Sequence, residues 1–179
     1  YEISCSLVGS EMCIRDRVFD VREDGGGLVA ALEKIVDPLL PAGDIATATY
    51  QDGTTKVLVH SDANELNLPM MVLVNGNTAS AAELFTASLK DFGKAEVIGE
   101  QTFGKGIMQN TFELPDGGAV TLTVATYQTT KGECYHGVGI TPDVIMEEDY
   151  EKVDFDHPNP EQDAQLKQAM ELLQSKISS

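Results

Sequence analysis

With 179 residues and 42% apolar side chains, the chain has enough material for one independently buried core, and no apolar run approaches the roughly 18 residues that a membrane-spanning helix needs. Its 29 acidic and 12 basic residues give a formal charge of −17, a surface that repels phosphate and argues against nucleic acid as a partner. Cys5 and Cys13 lie near the start, and Cys134 alone makes neither a disulfide framework nor a metal site.

Residues 1–17 resemble the translation of sequencing-adapter DNA and are expected to lie outside the native fold, the chain being a fragment; the alternative is an ordinary strand and turn leading into Val18. Residues 18–22 read as a short strand, followed by glycines at 25–27 and a helix over 28–36 that ends near Pro38 and Pro41. A strand, a glycine run and a helix can cradle phosphate. Here there is no G-x-G-x-x-G and no G-K-[ST], and Glu23 and Asp24 would oppose an anion. Residues 45–50 and 55–59 alternate as the strands of a hairpin about Asp52-Gly53, with His60 following in a polar loop.

Val72-Leu73-Val74 is a short buried strand, Asn75-Gly76-Asn77 has turn chemistry, and an Ala-rich helix is predicted from about Thr78, which puts Ser80 in its first turn. Unpaired N–H groups and the helix dipole would favour an oxyanion there, although a serine at a helix start is ordinarily a cap. Residues 95–99 read as a buried strand that continues a parallel sheet, and residues 107–114 and 119–126 as a second hairpin about 115–118. Pro142 argues for a sheet edge or strand end. A polar linker over 147–160 leads to a helix whose apolar stripe is Leu166, Ala169, Met170 and Leu173, the pattern of a packing helix.

Lys105 sets Ser80 apart from an ordinary cap. It lies 25 residues later, between Gly104 and Gly106 and flanked by Phe103 and Ile107. A lysine acts as a general base only when neutral, which burial among apolar groups and a nearby helix N-terminus promote. Asn77-Thr78-Ala79-Ser80-Ala81-Ala82-Glu83 and Thr102-Phe103-Gly104-Lys105-Gly106 together resemble the two catalytic motifs of the C-terminal processing peptidases, serine peptidase family S41. The resemblance implies Ser80 as nucleophile, Lys105 as base, Gln109 as the polar group that orients the lysine, and a supporting part for Glu83. Residues 20–27 are similar to the family segment that gives an oxyanion-hole N–H, which points to Gly26 or Gly27, with the Ala81 N–H as second donor. Asp24 and Gly25 stand where the family often has Asn and Pro. Residues 137–144 match the family's Gly-x-Gly-Ile-x-Pro-Asp signature.

The same resemblance implies an α/β protein of the ClpP/crotonase-like fold, a mixed sheet with packed helices and β-hairpins. Its catalytic core spans 18–146, incomplete on its N-terminal side, and 147–179 form an acidic linker and packing helix. It implies a serine endopeptidase that needs no cofactor and no metal, takes a protein or peptide substrate as an extended added strand, and cleaves near C-termini. A PDZ domain is expected upstream in the parent protein, the location is expected to be extracytoplasmic, in periplasm or cell envelope, and the fragment alone is expected to be weakly active or inactive.

A Ser-His-Asp triad is the rival chemistry, with His60, His136 and His157 as the available bases. None sits in a nucleophile-elbow context, because Ser80 is not inside G-x-S-x-G. Two other classes remain. A non-catalytic ligand- or peptide-binding protein on the same fold would need neither Ser80 nor Lys105, so their presence argues against it. A crotonase-fold acyl-thioester enzyme would use carboxylates and oxyanion N–H groups without a lysine base.

Overall fold

The computed structural model describes residues 16–62 and 64–177, so the first fifteen residues of the segment set apart by sequence lie outside it. The elements run β1 (Arg17–Asp20), α1 (Val29–Val36), a 3-10 turn (Asp37–Leu39), β2 (Gly43–Tyr50), β3 (Thr55–Ser61), β4 (Met70–Val74), α2 (Ala81–Asp91), β5 (Ala95–Gly99), β6 (Ile107–Glu113), β7 (Ala119–Thr129), β8 (Val144–Ile145) and α3 (Ala164–Ile177). No helix among the described residues is long and apolar enough to cross a membrane.

The α/β class stands, with the pairing types divided between two sheets. β1, β4, β5 and β8 form a wholly parallel sheet in the order β1-β4-β5-β8, and β3-β2-β7-β6 are antiparallel. Each predicted hairpin closes on itself, and the pairing of β2 with β7 fuses the two into one sheet. β8 is the edge strand of the parallel sheet and starts two residues after Pro142.

All five residues of β4 are buried, as a strand covered on both faces must be. Met70, Val72 and Val74 face one core with Phe19, Leu84, Phe85 and Leu89, where the Phe19 and Phe85 rings meet edge-on at 5.2 Å. Met71 and Leu73 face a second core with Ile98 and the predicted α3 stripe of Leu166, Ala169 and Leu173, against which Met170 packs. α2 is therefore an interior helix, and its residues 81–89 are all buried. Its Thr86 and Ser88 hydroxyls donate to the carbonyls of Ala82 and Leu84, one turn back, which satisfies them without water.

Two local expectations change. His60 lies in β3 and not in a loop, exposed, with Nδ1 2.8 Å from Asp44 Oδ1. α2 begins at Ala81 and not near Thr78, because residues 75–79 are tied elsewhere. The Thr78 hydroxyl donates to Val21 O (2.8 Å) and accepts the Asn75 N–H (3.0 Å), while the Ala79 N–H donates to Asp24 O (2.9 Å). These bonds fold the turn back onto the segment after β1.

Candidate active site

Ser80 is the corner between that turn and α2. It has φ 58° and ψ −118°, a region that side-chain-bearing residues rarely occupy and that costs on the order of 1–3 kcal/mol to hold. A buried strand, a sharp turn with a strained serine and then a helix make a nucleophile elbow in geometry, which the missing G-x-S-x-G concealed. The serine precedes the first helical turn rather than lying inside it.

The segment after β1 packs directly on this corner. A Cβ on Gly26 would lie 2.6 Å from Ala79 O, 2.7 Å from Ala81 N and 2.8 Å from Ser80 Cβ, and Gly26 has φ +91°, so only glycine fits. The two candidate glycines differ in their commitments. The Gly26 N–H donates to Asp24 Oδ1 at 2.8 Å, whereas the N–H groups of Gly27 and Ala81 have no acceptor among the described residues.

Glu83 joins the two sequence motifs. Its side chain is fully buried, and its carboxylate accepts four hydrogen bonds, which match the four acceptor sites of an ionised carboxyl group. Thr102 Oγ1 (2.6 Å) and Gly104 N–H (2.7 Å) donate to Oε1, and Lys105 N–H (2.7 Å) and Ser80 N–H (3.0 Å) donate to Oε2. Thr102 Oγ1 also accepts the Ile140 N–H at 2.7 Å, which brings the 137–144 signature to the same point. One acid on α2 thus sets the backbone of Ser80, of Lys105 and of the loop between Thr102 and Gly104.

Lys105 is half-buried, and no partner of its Nζ is found among the described residues. Phe103 beside it is 65% exposed and does not shelter it in this chain, contrary to the expectation from its position. Gln109 is exposed on β6, next to a register shift between Met108 and Gln109, and makes no hydrogen bond to Lys105. No histidine pairs with Ser80. His60 faces Asp44, His157 Nδ1 is 3.2 Å from Asp154 Oδ2, and His136 Nδ1 is 3.2 Å from the Gly104 carbonyl.

Two features escaped the sequence. Tyr127 on β7 donates its hydroxyl to Lys105 O (2.9 Å) and lies 3.4 Å from Ser80 Oγ; in sequence it is one more strand residue. Burial pushes its phenol above the ordinary range, with the bond to Ser80 acting the other way, and burial raises Tyr135 beside it as well. The second is Arg22, whose guanidinium engages Asp20 through Nε and Nη2 and Asp163, just before α3, through Nη1 and Nη2. Burial opposes the Arg22 charge, but hydrogen bonds and the charges of the two carboxylates outweigh it and hold its pKa above the ordinary value. The pair anchors the C-terminal helix to the segment that carries the glycines.

The sequence profile of Peptidase family S41 matches residues 11–146, beginning within the segment that the sequence sets apart. The carboxyl-terminal-processing protease of Synechocystis sp. is 35% identical over 156 residues, covering 87% of this chain and 36% of that protein. The chloroplastic C-terminal processing peptidase of Tetradesmus obliquus is 36% identical over 140 residues, covering 77% of this chain and 30% of its own. The solved photosystem II D1 C-terminal processing protease superposes with a TM-score of 0.69 at 37% identity, over 75% of this chain and 35% of that one. The tricorn protease, 24% identical with a TM-score of 0.56 over 92% of this chain and 15% of its own, shares the fold alone. The chain spans about a third of the length of the curated relatives it matches. With the paired motifs and the fold agreeing, the chain belongs to peptidase family S41.

Proposed function

We propose that Ser80 and Lys105 are the nucleophile and general base of a serine endopeptidase of the C-terminal processing type, acting on protein substrates. The observation that carries the reading is the buried Glu83 carboxylate, which accepts the main-chain N–H of both residues and so sets the two motifs against each other. The strained corner at Ser80 supports it, since strain of this kind exposes a nucleophile at a helix start.

Lys105 Nζ takes the proton of Ser80 Oγ as the oxygen attacks the peptide carbonyl, and the amine leaves with that proton. The tetrahedral oxyanion rests on the N–H of Ala81, next to Ser80, and on that of Gly27, neither of which has an acceptor among the described residues. Gly26, its own N–H spent on Asp24, serves by letting the backbone approach. Water then resolves the acyl-enzyme. Gln109 keeps the part that the family pattern suggests, orienting the lysine, and a PDZ domain elsewhere in the whole protein and action outside the cytoplasm belong to the same proposal.

The test uses the full-length protein and a serine-directed fluorophosphonate. Labelling and peptide cleavage are expected in the wild type and lost in Ser80→Ala. Lys105→Arg is expected to be inactive, because a guanidinium cannot give up its proton to become a base, while His136→Ala stays active. An active arginine variant, or a folded but inactive histidine variant, would overturn the pairing.

A further inference from the structure

Tyr127 stands between the two proposed catalytic residues. It is 3% exposed, and its ring meets Tyr135 edge-on at 6.1 Å. Its main-chain N–H donates to Gly106 O at 3.0 Å and its hydroxyl to Lys105 O at 2.9 Å, so it grips the lysine segment at two consecutive carbonyls. The same hydroxyl oxygen lies 3.4 Å from Ser80 Oγ. A phenol has one proton. With that proton on the Lys105 carbonyl, the oxygen faces Ser80 as an acceptor, and the Ser80 hydroxyl hydrogen is directed at Tyr127.

We propose that Tyr127 is a positioning residue for the Ser80–Lys105 pair, holding the lysine segment and the Ser80 Oγ rotamer in place, with the Ser80 hydrogen turning from Tyr127 to Lys105 Nζ as it passes to the base. The inference rests on the reading of those two residues given above. Tyr127 is not a proton relay. Its own hydrogen points at a carbonyl oxygen, which is no base, and burial disfavours the phenolate that a relay would require. At 3.4 Å the contact with Ser80 is long for an O–H···O bond, and catalytic hydrogen bonds of this kind tighten when substrate is bound.

Tyr127→Phe removes the hydroxyl and keeps the ring, its edge contact and the main-chain bond. In the full-length protein kcat for peptide cleavage is expected to fall about tenfold, the rate equivalent of one modest hydrogen bond, with KM within about twofold of wild type. The melting temperature should stay within a few degrees. Ser80→Ala is assayed beside it. If Ser80→Ala still turns over, the proposed function falls; if Ser80→Ala is dead while Tyr127→Phe keeps full kcat, or changes KM as much as kcat, the positioning role alone falls. A second measurement needs neither turnover nor a Tyr127 variant: the tyrosine Cζ carbon resonance of Tyr127 is expected to shift when Ser80 Oγ is removed in Ser80→Ala. An unmoved resonance overturns the inference, and it decides the matter should Tyr127→Phe fail to fold.

Discussion

Replacing Glu83 by glutamine tests the claim that one acid organises the site. The substitution keeps shape and volume and changes the hydrogen-bond inventory. The pocket offers three main-chain N–H donors and the Thr102 hydroxyl, all of them to a fully buried side chain. A carboxylate can accept from all four; an amide turns a donor NH2 toward one pair of them. If the amide nitrogen takes the place of Oε2, the N–H groups of Ser80 and Lys105 are both orphaned. If it takes the place of Oε1, the Gly104 N–H is orphaned, and Thr102 must turn its oxygen, already accepting from Ile140, toward the amide. The better orientation therefore leaves one buried N–H unpaired, about 1–3 kcal/mol, and weakens the remaining bonds from charged to neutral acceptor, about 1 kcal/mol each. The neutral amide is cheaper to bury by several kcal/mol, which offsets much of this. The net expectation is about 2–3 kcal/mol of destabilisation, or a melting temperature lower by about 5–10 °C for a chain of this size. Thermal unfolding followed by circular dichroism measures it. Turnover of the full-length variant, assayed well below its melting temperature, should fall by at least about tenfold, since the N–H groups of Ser80 and Lys105 exchange a charged acceptor for a neutral one and the Gly104 N–H next to Lys105 loses its own. A glutamine variant as stable as wild type, or more so, would refute the reasoning, because the four donors could not then depend on a carboxylate.

Gly26→Ala drives a Cβ to within 2.8 Å of three atoms at the Ser80 corner at φ +91°, and should cost about 2–4 kcal/mol in urea unfolding together with labelling of Ser80 in the full-length protein; Gly25→Ala, with open space around it, should be near neutral. Arg22→Ala leaves Asp163 buried without its cation and should cost about 3–5 kcal/mol, seen as faster hydrogen exchange over residues 163–177; Arg22→Lys should rescue little, since an ammonium cannot fork between two carboxylates. Exchange over those residues unchanged in Arg22→Ala would show that α3 does not depend on the pair. Tyr127, Tyr135 and Tyr150 all have phenol pKa values raised by burial, so above the unfolded reference of about 10 the folded state binds more protons than the unfolded one. Their contribution to stability is then fully present below that pH and is lost as pH rises through the folded values. Absorbance at 295 nm should show these phenols silent near pH 10 and ionising with unfolding; reversible ionisation of all of them near pH 10 without loss of stability would contradict it.

Local chemistry carried much of this protein. The unbroken apolar run of β4, the stripe of α3 and the turn residues of the two hairpins depend on neighbours a few residues away, so periodicity and spacing were enough to read them, while the paired motifs around Ser80 and Lys105 were read from their resemblance to a family. What the tertiary structure alone decided involves partners far apart in the chain. The start of α2 was misplaced because the Thr78 hydroxyl is held by a carbonyl 57 residues earlier, and that bond, invisible to helix propensity, forces Ser80 into its strained corner. The division into two sheets follows from the pairing of β2 with β7, which no hairpin signal encodes. Tyr127 reaches Ser80 from 47 residues away and Arg22 finds Asp163 across 141, and neither residue type carries a spacing rule that would have revealed it. The roles proposed for Ser80 and Lys105 come from the resemblance of their motifs; the main chains of the two residues meet on one buried carboxylate whose four donors come from two separated stretches of chain, residue 80 and residues 102–105, and only folding brings those stretches together.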